Sequence, residues 1–272
     1  MFLHVLIVAL LGVVLGAAVG IIVNLFGASV NPLVEKLSAL MPGANCGGCG
    51  FAGCTDYVNA MVAGKAKPGM CASMTAENLQ KACELLGVGS QSRTPMTAVV
   101  CCNGDDDHAS RRAFYNGVMD CVDAMIVAGG AKGCVYGCLG MGTCARACPF
   151  GAIEILPNHI AHIHADLCKA CGKCVSVCPR KVIKLVPKSA PVHVFCNSPE
   201  KAPVKKKICT VACIGCHLCE KNSEPGQMIM NGFLASVNYD NPPSAEVTKK
   251  CPAKCLRLAQ GHESDLDKDM EK

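Results

Sequence analysis

Residues 1–27 read MFLHVLIVALLGVVLGAAVGIIVNLFG and carry no Lys, Arg, Asp or Glu. An apolar run of that length exceeds the roughly 20 residues that cross a bilayer as a helix. Its uncharged start and long apolar core are unlike a cleaved secretory signal, so the pattern predicts a retained single transmembrane helix. Gly12, Gly16 and Gly20 share one face of it, a stripe that suits close approach of another membrane helix. Next, NPLVEKLSALMPGAN predicts a short helix stopped at Pro42-Gly43. Tyr57, Ala60 and Met61 fit a second helical face that stops at Gly64. Leu79, Ala82, Cys83 and Leu86 fit a third, between Thr75 as N-cap and Gly87 as C-cap. Cys83 therefore reads as core. After a linker, GVGSQSRTP (87–95), the pattern changes character. MTAVVCC (96–102) reads as a strand, and GDDDH (104–108) as a solvated turn. GVMDCVDAMIVAGG (117–130) reads as a helix with Val118, Cys121, Val122 and Met125 on one face, which makes Cys121 core as well. Short apolar strands follow at 152–155 and 182–186, with His159, His162 and His164 in a hairpin between them, in surface or packing roles. The tail GHESDLDKDMEK reads as disordered.

Composition changes this picture through one residue type. The chain has 272 residues and 23 cysteines, many only two or three residues apart, as in CKACGKC (168–174). Disulfides seldom use such dense runs, whereas a metal centre needs neighbouring thiolates to converge. Nearly all Lys and Arg lie beyond Lys36, so positive-inside bias puts the bulk of the chain in the reducing cytoplasm. The formal charge of +5 is no argument for nucleic acid. A cubane on four thiolates carries about −2 when oxidised, so a few of them reverse the sign. KAPVKKK (201–207) has no interleaved aromatics and reads as a solvated loop or a docking surface for an acidic partner.

The cysteine runs repeat. GCVYGCLGMGTCARACPFGAIEI is followed by HIHADLCKACGKCVSVCPRKVIKLV, each half ending Cys-Pro before an apolar strand. This duplication resembles the bacterial two-cluster ferredoxin. Cys168, Cys171, Cys174 and Cys178-Pro179 match the C-x2-C-x2-C-x3-C-P run, whose fourth cysteine serves the other cluster. One predicted set is thus Cys168, Cys171, Cys174 and Cys148. In the first half Met141 stands where the middle cysteine belongs and Cys134 is extra. The second predicted set is Cys134, Cys138, Cys144 and Cys178. A third run, ICTVACIGCHLCEKNSEP, aligns with the first by adding 75, so 196–258 reads as a decayed copy of 102–187. Ser223 takes the place of Cys148, and the matching three-cysteine run is gone. One site survives there, predicted as Cys213, Cys216, Cys219 and Cys251, with Cys209 as the rival ligand. Cys101, Cys102, Cys196 and Cys255 are left in structural roles.

The order of an apolar helix, CGGCGFAGC (46–54) and ferredoxin runs, together with CPFGAIEI and CIGCHLCEKN, resembles the B subunit of the Rnf electron-transport complex over nearly the whole chain. The resemblance implies a fourth [4Fe–4S] cluster on Cys46, Cys49, Cys54 and Cys71. It implies an α+β protein: an anchor over 1–27, a small helical Fe–S domain over 28–90, and βαββαβ ferredoxin-like modules over 91–190 and 191–260, the second with one cluster. A tail fills 261–272. It also implies single-pass placement in a prokaryotic plasma membrane, and a relay role within an ion-translocating ferredoxin:NAD+ oxidoreductase. Such a relay takes electrons from soluble ferredoxin, passes them to the other subunits and binds no nucleic acid. The chain shows no nucleotide fingerprint of its own. A free-standing membrane-anchored polyferredoxin is the alternative, and a zinc-stabilised interaction protein a more distant one, since the runs lack the paired Cys and His of zinc sites.

Overall fold

The computed structural model describes residues 2–26, 31–90 and 92–258. The tail beyond 260 lies outside them. Helix α1 runs over Phe2–Phe26 without a break. Its side chains are described continuously only over 9–22, and among the described residues no helix is long and apolar enough to cross a membrane.

Three helices then surround one small core. They are α2 (Pro32–Leu40), α3 (Cys54–Val62) and α4 (Ala76–Leu86). The Asn31 side chain accepts from Leu33 N–H to start α2. Thr75 does the same for α4 from Asn78 N–H, and Gly87, in the left-handed region, ends it. Their apolar faces meet around Leu37, Tyr57, Val58, Leu79 and Ala82, all buried, with Cys83 among them as the periodicity predicts. Burying the four larger of these side chains is worth on the order of 6–10 kcal/mol before chain entropy is counted.

The rest of the chain is built from four two-stranded antiparallel sheets. The first repeat runs β1 (Met96–Val100), α5 (Cys121–Ile126), α6 (Thr143–Ala147), β2 (Ile153–Ile155), β3 (Ala161–Ile163), α7 (Lys173–Val177) and β4 (Ile183–Pro187). β1 pairs with β4 and β2 with β3. The second runs β5 (Val192–Val194), α8 (Ala202–Ile208), α9 (Leu218–Lys221), β6 (Met228–Asn231), β7 (Leu234–Val237), a 3₁₀ turn over Ala245–Lys250, and β8 (Leu256–Leu258). β5 pairs with β8 and β6 with β7. The same pairing recurs: first strand with last, and a hairpin between.

Three sequence readings are corrected. The helix expected over 117–130 is only Cys121–Ile126. Asp120 caps its start by accepting from Val122 and Asp123 N–H, and the left-handed Ala128, Gly129 and Gly130 follow its end. Its buried residues are Cys121 and Ala124, while Val118 and Val122 face solvent. KAPVKKK forms α8 rather than a solvated loop, with Lys205 buried so that Nζ donates to Ser198 and Phe233 carbonyls at 3.2 and 2.7 Å. GDDDH is not wholly solvated either. Asp105 is buried and accepts from His108 Nδ1 at 2.6 Å and Asn158 Nδ2 at 2.9 Å, pinning the loop to the β2–β3 hairpin.

Candidate metal centres

In the N-terminal unit the glycine-rich loop delivers Cys46 and Cys49, and Cys54 opens α3 with its N–H on Asn45 Oδ1 at 2.8 Å. Cys71 follows the 3₁₀ turn Pro68–Met70. Tyr57 on α3 fixes that turn by donating to Lys67 and Pro68 carbonyls at 2.6 Å each. Burial pushes the Cys71 thiol up, with the Cys49 and Cys46 thiols adding to the effect as close neighbours. Gly48 has a separate reason to be glycine. A Cβ there would run into the Cys171 carbonyl, at 3.1 Å from its carbon and closer still to its oxygen. The loop therefore lies directly on the second cysteine run, and Cys46 is among the charged neighbours of Cys171.

In the first repeat Cys148, Cys168 and Cys171 lie near Cys174. Burial pushes Cys174 up to about 12, and the thiols of Cys168, Cys171 and Cys148 add to it. Ala98 and Ala170 aim backbone N–H groups at Cys168 Sγ, each at 3.4 Å. The other predicted set divides. Cys138, Cys144 and Cys178 line one pocket, but the cysteine that joins them there is Cys121, not Cys134. Cys144 is pushed up to about 12 by burial, with Cys138, Cys121 and Cys178 as its nearest thiols. A polar network holds Cys121 in place. Its N–H donates to Thr143 Oγ1 at 2.7 Å, and Thr143 Oγ1 donates to Asp120 Oδ2 at 2.9 Å, which Arg146 also engages at 2.5 Å. The start of α5 is thereby tied to α6, the helix that carries Cys144. Met141 packs against the same apolar cluster as Cys121.

In the second repeat Cys213, Cys216, Cys219 and Cys251 share a pocket, and Cys255 lines it too. Hydrogen bonding with Cys255 holds Cys213 and Cys251 down, at about 5 and about 6, while the Cys255 thiol is driven upward. Its Sγ lies 3.6 Å from that of Cys251. Cys209 is not in this pocket. It lines another, with Cys134, Cys102 and Cys196. Ser223 donates to the Cys219 carbonyl.

The spacing of the sulfurs separates two metal chemistries. Tetrahedral zinc with Zn–S of about 2.3 Å needs sulfurs about 3.8 Å apart. Among the described residues, the one group of three His, Cys, Asp or Glu ligand atoms mutually within 4.8 Å is Glu154, His162 and His164 on the β2–β3 hairpin, where His164 already pairs with Glu154 at 3.2 Å. No three cysteine sulfurs among the described residues lie mutually within 4.8 Å. A cavity of about 630 Å³ between the β1–β4 and β5–β8 sheets has no cysteine in its wall and stands apart from this chemistry.

Two family models match these regions. One, described as "Putative Fe-S cluster", covers residues 41–73. The other, "4Fe-4S dicluster domain", covers 133–182. The B subunit of the Na(+)-translocating ferredoxin:NAD(+) oxidoreductase complex of Acetobacterium woodii is 37% identical over 251 residues, which is 92% of this chain and 75% of that one. The B subunit of the ion-translocating oxidoreductase complex of Methanosarcina acetivorans is 35% identical over 90% of this chain and 94% of its own length. The chain belongs to the family of B subunits of ion-translocating oxidoreductase complexes. The B subunit of the proton-translocating ferredoxin:NAD(+) oxidoreductase complex of Clostridium ljungdahlii, 38% identical over 76% of this chain and 73% of its own, is similar as well.

Sequence reasoning placed Cys121 in the core, where it is buried, but did not place it beside Cys138, Cys144 and Cys178. Three buried cations were missed too. Lys132 donates to the Gly104 carbonyl at 2.7 Å, Arg180 to the Cys134 carbonyl at 2.8 Å and to the Gly129 carbonyl, and Lys205 to the two carbonyls named above. None of the three has a carboxylate partner among the described residues. Arg180 also donates from Nε to Met125 Sδ at 2.8 Å. A buried cation without a carboxylate is stabilised by an anion nearby, and each of these lies near cysteine sulfurs.

Proposed function

We propose that this chain is the electron relay of a membrane complex that couples transfer between ferredoxin and NAD+ to Na+ or H+ movement, and that it takes its electrons from soluble ferredoxin. The observation that carries this reading is the convergence of separate all-cysteine sets, those of Cys71 and Cys174 lying within regions matched by Fe–S family models. The donor chemistry fits [4Fe–4S] clusters: thiols without competing carboxylates, and backbone N–H groups aimed at sulfur. Four ligand sets follow. They are Cys46, Cys49, Cys54 and Cys71; Cys148, Cys168, Cys171 and Cys174; Cys121, Cys138, Cys144 and Cys178; and Cys213, Cys216, Cys219 and Cys251. A bound cluster of this type takes up and gives back one electron without making or breaking a bond to substrate.

The protein's own part is to hold the sulfurs, exclude water and set charge. Buried cations offset the negative clusters, and N–H groups on sulfur tune their potentials. The glycine loop at 46–54 is read as the exit toward membrane-embedded partners. It follows α1 in sequence and rests on the Cys171 loop, which supports that placement. α1 is read as a single-pass anchor, because its sequence is uncharged over 25 residues. At about 1.5 Å per residue such a helix exceeds the roughly 30 Å hydrocarbon layer.

The test is anoxic mixing of the purified chain with reduced ferredoxin while its visible Fe–S absorbance is followed. Bleaching on mixing, reversed by an oxidant, is the expected result. A colourless chain, or one that binds stoichiometric flavin or NAD, would overturn the reading.

A further inference from the structure

In each repeat one cysteine of the run is left over, and the fold brings these two together with a strand-end cysteine from each repeat. Cys121 completes the first repeat's set and releases Cys134. Cys216, the counterpart of Met141, completes the second repeat's set and releases Cys209. Cys134 and Cys209 are themselves equivalent by the same offset of 75. The strand-end cysteines Cys102 and Cys196, each followed by Asn, are the other matching pair. All four line one pocket between the repeats, of about 30 Å³, against about 20 and about 10 Å³ for the pockets of the Cys121 and Cys213 sets.

Backbone pairing across the two repeats builds this pocket. Asn103 N–H donates to the Phe195 carbonyl at 3.2 Å, which aligns Cys102 with Cys196. Ser110 N–H donates to Ile208 O at 2.7 Å and Thr210 N–H to His108 O at 2.9 Å, which draws Cys209 onto the first repeat. Gly104 and Gly137 leave room beside the sulfurs. A Cβ at Gly104 would stand 3.2 Å from Cys209 Sγ and 3.8 Å from Cys102 Sγ, and one at Gly137 3.4 Å from Cys102 Sγ and 3.5 Å from Cys134 Sγ. Cys138 N–H donates to Cys102 Sγ at 3.4 Å, and the Cys213 backbone donates to Cys196 in the same way.

Charge gives an independent indication. Lys205 lines the pocket and is 2% exposed. Lys132 and Arg180, 5% and 7% exposed, stand beside Cys102 and Cys134. Three buried cations without carboxylates around four neutral thiols would be costly. Around four thiolates holding a cube of net charge about −2 they are compensated.

We propose that Cys102, Cys134, Cys196 and Cys209 bind a fifth [4Fe–4S] cluster, seated between the two repeats and flanked by the Cys138 and Cys213 sites. This rests on the four-cluster reading above, and the counts separate the two. The full chain, purified anoxically and reconstituted with iron and sulfide, is expected to hold about twenty irons and about twenty sulfides, four of each per cubane. Substituting Cys102→Ala and Cys196→Ala together should remove about four of each, while Cys101→Ala, next in sequence but outside the pocket, should remove none. A wild-type count of about sixteen overturns the fifth cluster and leaves the other four standing. A count clearly below sixteen overturns the four-cluster reading itself. One zinc per chain, lost in the double variant, also overturns the proposal. Should the double variant fail to fold, the wild-type count with Mössbauer quantification of its cubane iron decides alone.

Discussion

The first repeat pairs β1 with β4 and encloses the β2–β3 hairpin; the second pairs β5 with β8 and encloses β6–β7. Within this shared frame the first gathers two complete cysteine sets and the second gathers one. The difference lies in what fills the vacated end. In chain order, the 3₁₀ turn Ala245–Lys250 stands where α7 stands, and it buries Val247 where the first repeat has a cysteine run. Val247, Met228, Ala235 and Val237 form an apolar core that needs no metal. On the proposed assignment, a repeat exchanges a cluster for hydrophobic packing while keeping its strand pairing. The repeat proposed to hold two clusters should then depend more heavily on iron to fold.

The largest expected effect follows from that dependence. In the first repeat Cys178 serves the Cys121 set, while the rest of its own run serves the other. Cys178→Ala is expected to remove more than four irons, approaching eight, because the released segment also carries Cys168, Cys171 and Cys174. Cys251→Ala in the second repeat should remove about four. Equal losses, measured as iron and acid-labile sulfide per chain, would break the comparison.

Next comes the reassigned ligand. Cys121→Ala and Cys209→Ala touch different sites, so their iron losses should add to about eight. Cys134→Ala and Cys209→Ala touch one site, so together they should cost about four, no more than either alone. If Cys121→Ala instead removes no iron while Cys134→Ala removes about four, the set read from spacing is correct and the proposed one is not.

What was legible in the sequence divides along the same line. Helix caps at Thr75 and Gly87, the helical face of Cys83 and the gathering of Cys148 with Cys168–Cys174 all depend on neighbours within one run, or on a repeat that announces itself. The roles of Cys121, Cys134 and Cys209 depend on contacts across elements, such as Thr143 with the start of α5 or Ser110 with Ile208. A linear pattern does not carry those. Lys205 misled for a related reason: its neighbours Lys206 and Lys207 are solvated, and one buried position on a short helix has no periodic signature. α5 fell short of its expected span because Asp120 binds Val122 and Asp123 and starts the helix there, whatever the apolar residues before it suggest.

A smaller effect tests the junction of the N-terminal unit with the first repeat. Gly48→Ala drives a methyl into the Cys171 carbonyl, a backbone group that cannot rotate away. The cost is expected to be about 1–3 kcal/mol, with the iron count unchanged. Hydrogen exchange should quicken in both the 46–54 loop and the 168–174 loop. Quickening in the first loop alone would mean that the two do not support each other.

The smallest effect concerns the residue that opens each short cysteine-bearing helix. Gly142, Gly172 and His217 hold the same left-handed conformation, with φ of 80°, 78° and 62°, ahead of α6, α7 and α9, and each precedes a site cysteine by two positions. At Gly172 the nearest atom to an added methyl is 3.9 Å away. Gly172→Ala therefore tests the backbone alone, at a cost of about 1–2 kcal/mol. The second repeat already carries that cost at His217. There His217→Gly relieves about 1 kcal/mol of backbone strain. It also loses the exposed pairing of His217 Nδ1 with Glu220 at 2.8 Å, worth about 0–1 kcal/mol, and adds about 0.4–1 kcal/mol of unfolded-state freedom. These offset, so His217→Gly should leave the temperature at which the visible Fe–S absorbance is lost nearly unchanged at a fixed scan rate, while Gly172→Ala lowers it. A large gain from His217→Gly would mean that strain, rather than the missing cluster alone, limits the second repeat.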